Sequence, residues 1–271
     1  RENLKYLVPV ILKAWGDDPC TGKAIICCEN VENVGIYFKN LLMEQCSEKQ
    51  KENIQKIRIP NTIVDRICSM NSEDMTIVSE EFHELSVDKN VLSETGIEYI
   101  NSIDNVEGHF YRKRYLLNSY ADAISFLAKK EGLTYLYEAA QNDKINEQIK
   151  PYMELLKDLL HERYHISKEE LEQWQEIYRK RLQNDKIPRK LTTVARNLWE
   201  KLTVEERFVK PLIQLLEMKK DIAEGAKFIK KLIECGTEDE ELSQIKEKLM
   251  EIWNVCPEGE ILFNMIDKIS D

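Results

Sequence analysis

The feature that most constrains this 271-residue chain is a change of period near Asn105. Ahead of it, short apolar runs alternate with helical stretches. Ala24 to Cys28 is nearly continuous apolar sequence between Gly22 and Glu29-Asn30, the pattern of a strand buried on both faces of a parallel sheet. A helix over about 32–46 follows. Ile57-Arg58-Ile59-Pro60 reads as a short strand stopped by proline, and Thr76 to Phe82 as a third. Strand, helix, strand predicts part of an α/β layer. Beyond Asn105 only helical periods remain, such as Leu116, Leu117, Tyr120, Ile124 and Leu127, or Leu155, Leu156, Leu159 and Leu160. Ser167-Lys168-Glu169-Glu170 has capping-box spacing and predicts a helix running through Trp174 and Tyr178, while Lys210-Pro211 and Cys235-Gly236 punctuate later ones. The fold expected is mainly α: an incomplete α/β segment over 1–104, then a helical domain over 105–271. Helical spacing already runs from Leu4 to Trp15, before the Asp17-Asp18-Pro19 turn, so the sequence reads as opening inside a fold.

Charge narrows the partners. With 49 acidic against 39 basic residues the net charge is -10, which weakens attraction to phosphate backbones and anionic lipid and predicts neither nucleic-acid nor membrane binding. No apolar stretch approaches the roughly 18 residues of a membrane span. Seven cysteines without a CxxC pair predict buried, reduced thiols and a cytoplasmic setting.

His161-Glu162-Arg163-Tyr164-His165 matches the zinc-protease pattern HExxH. The capping box at Ser167 ends that helix just past His165, however, so the motif is expected to hold no metal. Glu238 to Glu241 and Lys219-Lys220 read as solvated helix faces, and Trp174, Trp199 and Trp253 as packing residues. No GxGxxG or GxxxxGK occurs, so no complete phosphate-cradling loop is present. Lys113 and Asn118 fall within one expected helix. At about 100° per residue they stand roughly 140° apart, with position 121 between them, and a long lysine can share a cleft with that amide.

Several runs taken together carry a resemblance. Ala24 to Asn30, Pro60-Asn61-Thr62-Ile63-Val64-Asp65-Arg66-Ile67, Phe82 to Lys89, Asp104-Asn105, Lys113-x4-Asn118 and Arg207-Phe208-Val209-Lys210-Pro211-Leu212 occur in the order seen in the polyol-specific long-chain dehydrogenases, and among these most resemble the mannitol-1-phosphate 5-dehydrogenases. The resemblance implies a nicotinamide-cofactor Rossmann domain, of which 1–104 is the last part, and a helical substrate domain. It implies NAD or NADP as cofactor, bound mostly by a missing N-terminal region, and a polyol or sugar phosphate as substrate. Lys113 matches the family's base, Asn61 and Asn118 its pair of oxyanion donors, Lys201 a basic residue near the substrate, and Asp88, more weakly, a substrate-orienting group.

The departures from that pattern lie around the substrate. Ala121 stands where the family has histidine and Tyr120 where it has glycine. Thr193 stands in place of a substrate-binding arginine, and Leu85 in place of a tryptophan. These changes imply altered sugar specificity. They also keep open a rival reading, a family member that has lost hydride transfer and acts as a binding protein.

Overall fold

The structure is a computed structural model that describes residues 2–17, 19–70, 73–237 and 240–269. Asp18 of the expected turn, and Glu238 and Asp239 of the acidic run, lie outside the described residues. The chain divides into two compact units, Arg1–Cys68 with Ser79–Phe110, and Ser69–Val78 with Tyr111–Asp271.

In the first unit a 3₁₀ turn, Glu2–Leu7, leads into α1 (Val8–Trp15), which starts at Val8-Pro9 because proline's fixed φ suits the first helical turn. The helix expected over 32–46 is α2 (Val34–Gln45). The next helix, α3 (Glu48–Gln55), opens on a capping box between Ser47 and Gln50. Its C-terminal end is tied by Lys39, whose ammonium donates to the carbonyls of Ile54, Gln55 and Ile57 at 2.6, 2.9 and 2.7 Å. A cation belongs there, since the last carbonyls of a helix are otherwise unmatched. Val34, Phe38, Leu42 and Ile54 close the core between these helices.

The sheet of this unit differs from the sequence expectation. Strands β1 (Thr62–Asp65), β4 (Glu84–Asp88) and β5 (Asn101–Ile103) form it, β1 antiparallel and β5 parallel to β4. The runs Ala24–Cys28 and Ile57–Ile59 meet in a single parallel bridge, Ala24 with Arg58, and extend no further. Local bonds stop the ladder: the Cys27 carbonyl accepts from the Thr62 hydroxyl at 2.5 Å and from the Glu29 N–H at 2.9 Å, while Pro60 offers no donor. Burial is correspondingly uneven, with Cys27 buried and Cys28 exposed. The seven thiols are all free, but Cys28 and Cys68 are exposed, which corrects the expectation that they are uniformly buried. The third expected strand, Thr76–Phe82, is β3 (Ile77–Ser79). It pairs only with β2 (Cys68–Met70), outside the α/β layer, and exposes Met70, Ile77 and Val78.

Apart from Ser69–Val78 the second unit is helical. Helix α4 (Val106–Arg112), whose residues up to Phe110 belong to the first unit, continues into a π-helix, Lys113–Ser119, and then α5 (Tyr120–Lys129). Every residue of α5 from Tyr120 to Ala128 is buried, mostly small or apolar but with the charged Asp122 and the hydroxyl of Ser125 among them. Around it pack α6 (Leu136–Gln141), α7 (Asp143–Tyr164), α9 (Leu191–Val194) and α12 (Ala223–Gly236). The remaining helices are α8 (Lys168–Leu182), α10 (Leu198–Lys201), α11 (Lys210–Glu217), α13 (Leu242–Trp253) and α14 (Pro257–Lys268). Ser167 caps α8 as expected, accepting from the Glu170 N–H at 3.1 Å, but the Glu170 carboxylate lies 3.8 Å from the Arg112 guanidinium. Trp253 is fully buried, its indole N–H donating to the Leu202 carbonyl at 2.6 Å. Among the described residues no helix is long and apolar enough to cross a membrane.

Candidate active site

The π-helix changes the geometry expected of Lys113 and Asn118. In an α-helix they would diverge by about 140°, but i→i+5 bonding puts residues five apart one above the other. Lys113 and Asn118 therefore share one face of Lys113–Ser119, one turn apart, with Lys113 only 6% exposed and Asn118 half-buried. The wide register is braced on both sides. The Ser119 hydroxyl lies 3.1 Å from the Arg114 carbonyl five residues back and 3.0 Å from that of Arg207. Arg112, fully buried, stacks 3.7 Å over the Trp174 ring and donates to the Tyr178 hydroxyl at 3.1 Å. Tyr115 donates to Gln214 at 3.0 Å, and Gln214 in turn donates to Tyr164 at 2.7 Å.

Downstream on the same rod, Asp122 is buried and joins Lys201 (2.9 Å) to Arg207 (3.0 Å). Lys201 also donates to the Val194 carbonyl at 2.8 Å, and its ammonium borders a polar cavity of about 280 Å³. Burial pulls the Lys201 pKa below the ordinary lysine value, against the opposing pull of Asp122. Thr193 lines the same cavity, its hydroxyl turned back onto the Lys190 carbonyl at 2.7 Å. Tyr120 faces elsewhere, bonded to Asn146 on α7. Burial raises its phenol to about 12. Sequence reasoning missed the roles of Asp122, Arg196 and Arg207 around this cavity. Their signal is only two cations and an acid scattered through 122–207, with no local spacing to mark them.

In the first unit Asn61 and Asp88 are bound through backbone, the Asp88 N–H donating to the Asn61 carbonyl at 3.0 Å. The Asp88 carboxylate accepts from the Asn90 N–H at 2.9 Å, closing the turn after β4. The Asn61 side chain is more tightly specified. Its oxygen accepts from the N–H groups of Gly35 (3.0 Å) and Ile36 (3.4 Å), capping α2 from a distance, and its amide donates to Asn33 at 3.3 Å. Asn33 holds the left-handed conformation that asparagine tolerates (φ 51°). Gly35 has no room for a side chain: a Cβ there would come within 2.5 Å of the Pro60 carbonyl and closer still to that of Ile59. The small residue thus allows the helix end to reach the loop that carries Asn61.

Helix α7 ends at Tyr164, and His165 turns left-handed (φ 57°), so the two histidines of the HExxH match do not share a helical face. His161 Nδ1 lies 2.9 Å from the Ile166 carbonyl, and Glu162 pairs with Lys220. Among the described residues no three His, Cys, Asp or Glu side chains are grouped to hold a metal ion. The N-terminus of α2 does not fit a dinucleotide pyrophosphate either, because Asn61 already takes its N–H groups.

Residues 105–251 match the profile of the mannitol dehydrogenase C-terminal domain, and residues 2–100 that of the mannitol dehydrogenase Rossmann domain. The chain belongs to the mannitol dehydrogenase family. Two curated relatives in the family are mannitol-1-phosphate 5-dehydrogenases. That of Pyrenophora tritici-repentis is 26% identical over 72% of this chain and 52% of its own length. That of Caldanaerobacter subterraneus is 28% identical over 69% and 50%. This mannitol dehydrogenase family chain thus spans about half the length of the curated relatives it matches. Its fold is similar to Pseudomonas fluorescens mannitol 2-dehydrogenase, solved with NAD and D-mannitol (TM-score 0.70, 15% identity, 90% of this chain and 58% of that one). It is also similar to a D-sorbitol dehydrogenase in substrate-free form (TM-score 0.71, 15% identity, 97% and 62%).

Proposed function

We propose that the chain carries the substrate-handling part of a dehydrogenase acting on a polyol, sugar or sugar phosphate, with Lys113 as the base. On this reading 1–104 is cofactor-side and 105–271 substrate-side. The observation that carries it is the π register, which stacks buried Lys113 beneath Asn118. When hydride leaves the alcohol carbon the hydroxyl proton must also leave, and a neutral lysine beside that oxygen accepts it. Fixed amide donors stabilise the charge developing on the oxygen, the role assigned to Asn118 and Asn61. Lys201 and Asp88 are assigned to binding the rest of the substrate. A nicotinamide dinucleotide, NAD or NADP, supplies the hydride acceptor and is held mostly by residues other than these. One observation favours the rival, non-catalytic reading: Lys201 is already engaged by Asp122.

Steady-state kinetics of the full-length protein with mannitol 1-phosphate, mannitol and hexuronates, using NAD and NADP, tests the proposal. Lys113→Ala is expected to lower kcat by about 10²- to 10⁴-fold, with partial recovery on adding small primary amines. An unchanged kcat removes Lys113 as base. Absence of turnover by the wild type on every substrate favours the binding-protein reading.

A further inference from the structure

Hydroxyl side chains inside a helix ordinarily turn back onto the carbonyl three or four residues earlier. Two in the second unit do so. Ser125 on α5 donates to the Ala121 carbonyl at 2.7 Å, and Thr237, just past α12, to that of Ile233 at 2.7 Å, each four residues back. Ser119 reaches Arg114 instead, five residues back at 3.1 Å. A π turn brings that carbonyl under the hydroxyl, whereas i→i+4 bonding would present Tyr115. The partner of Ser119 therefore depends on the register of the helix. The single hydroxyl hydrogen is placed between two carbonyls, since that of Arg207 lies 3.0 Å away as well.

Arg207 belongs to the turn between α10 and α11, and this turn grips the same rod at three levels. The Arg114 guanidinium donates to the Glu205 carbonyl and pairs with the Glu206 carboxylate, each at 3.0 Å. The Arg207 carbonyl faces Ser119, and the Arg207 guanidinium reaches Asp122 on α5 at 3.0 Å. Three consecutive residues of the turn thus meet positions 114, 119 and 122. The turn is itself fixed from α7, where the fully buried Tyr152 donates to the Phe208 carbonyl at 3.0 Å. Because π bonding is rare in helices, a template outside the helix is the natural means of keeping it.

We infer that Ser119 is a positioning residue of the proposed site: its hydroxyl, shared between the Arg114 carbonyl and the turn Glu205–Arg207, keeps the wide turn at Lys113–Ser119 and so keeps Lys113 beneath Asn118. The inference rests on the dehydrogenase reading for its effect on catalysis, but the register it concerns can be read without turnover. Ser119 is fully buried and acts through Lys113 rather than on the substrate. Without the hydroxyl the helix loses the side-chain bond that prefers Arg114 to Tyr115, and the surplus residue of the π turn can move along the rod into α4 or α5. Lys113 then leaves the Asn118 face although both residues remain.

Two measurements on the purified full-length protein test it. The first is acylation of lysines by a succinimidyl acetate, followed by peptide mass spectrometry, with Lys157 as internal standard because it is buried to the same 6% exposure as Lys113. Ser119→Ala is expected to raise the rate at Lys113 by about three- to tenfold and to leave Lys157 unchanged. Ser119→Cys, which keeps the volume but donates weakly, is expected to follow alanine, and Ser119→Thr, which keeps the hydroxyl, to stay near wild type. The second is steady-state kinetics with mannitol 1-phosphate, mannitol and hexuronates. There kcat of Ser119→Ala is expected to fall about 10- to 100-fold with KM within about twofold, the split of a misplaced base rather than of lost binding. An unchanged rate at Lys113 in Ser119→Ala overturns the inference. So does an equal rise at Lys113 and Lys157, which is general loosening. A fall in kcat without any change in Lys113 labelling also overturns it, while leaving the dehydrogenase reading in place. Selective labelling of Lys113 with no turnover by the wild type upholds the register role and sinks the dehydrogenase reading.

Discussion

The Gly35 N–H donates to Asn61 Oδ1 at 3.0 Å, and this bond decides which way round the Asn61 carboxamide sits. With the oxygen held by the start of α2, the NH₂ group is turned away from the helix, one hydrogen on Asn33 and the other left to donate. Capping and donation are thus separate duties of one side chain, and a substitution can divide them. Asn61→Asp keeps the acceptor for the helix end, where negative charge is favourable, and loses the donor. Thermal unfolding should stay within a few degrees of wild type while, on the proposed dehydrogenase reading, kcat of the full-length protein falls about 10²- to 10³-fold.

Gly35→Ala should act on the same contact from the other side. The added Cβ meets the Ile59 and Pro60 carbonyls, so the loop must shift, at a cost of about 1–3 kcal/mol in urea unfolding.

Arg112 is the fully buried charge next to Lys113, sandwiched against Trp174 and bonded to Tyr178. Truncating it to alanine leaves a void and an unmatched hydroxyl, and should cost about 3–5 kcal/mol. Arg112→Met, which refills the volume without the charge, should recover much of that loss in the same denaturant titration.

The two neighbouring thiols should react differently. Burial, reinforced by Cys28 and then Glu29, pushes Cys27 up to about 11, so it stays protonated where an ordinary thiol ionises. Alkylation at pH 8 followed by mass spectrometry should label Cys28 and Cys68 and spare Cys27. Because the folded state holds the Cys27 proton more tightly than the unfolded state, its contribution to stability is complete below about pH 9. It is lost as pH rises toward 11, measurable as a falling Tm that Cys27→Ala removes.

Ala121→His, the change that restores the family pattern, meets a position only 6% exposed on a helix buried all round. It is expected to lower stability by about 1–3 kcal/mol through overpacking, read as a lower Tm, before any gain in substrate binding appears.

Much of the helical part was legible because its signals are local. Ser167 announces α8, Pro211 sits in the first turn of α11, and Gly236 ends α12. The strand runs were not, since whether Ala24–Cys28 becomes a ladder depends on Thr62 and Glu29 competing for one carbonyl, and a period cannot show that. Lys113 and Asn118 could be picked out only through the family resemblance, since their type and spacing alone mark nothing, and their stacking could not be read at all. Nothing in Lys-Arg-Tyr-Leu-Leu-Asn-Ser distinguishes i→i+5 from i→i+4 bonding, and the register is held by Ser119, Arg112 and Tyr115 reaching distant partners. The Asp122–Lys201–Arg207 cluster is invisible for the same reason, being assembled from α5, the end of α10 and the turn after it, far apart in sequence.

The π-helix makes the length of this segment matter as well as its chemistry. A π turn is an α-helix carrying surplus chain, so excising one residue, for example Leu116, lets the backbone relax to ordinary i→i+4 bonding. Lys113 and Asn118 are then four residues apart in an ordinary helix, about 40° from alignment, so the excision leaves them on one face. At its present length, by contrast, relaxation of Lys113–Ser119 to i→i+4 bonding alone would set the two side chains about 140° apart, so it is the match between chain count and bonding register that keeps the pair together.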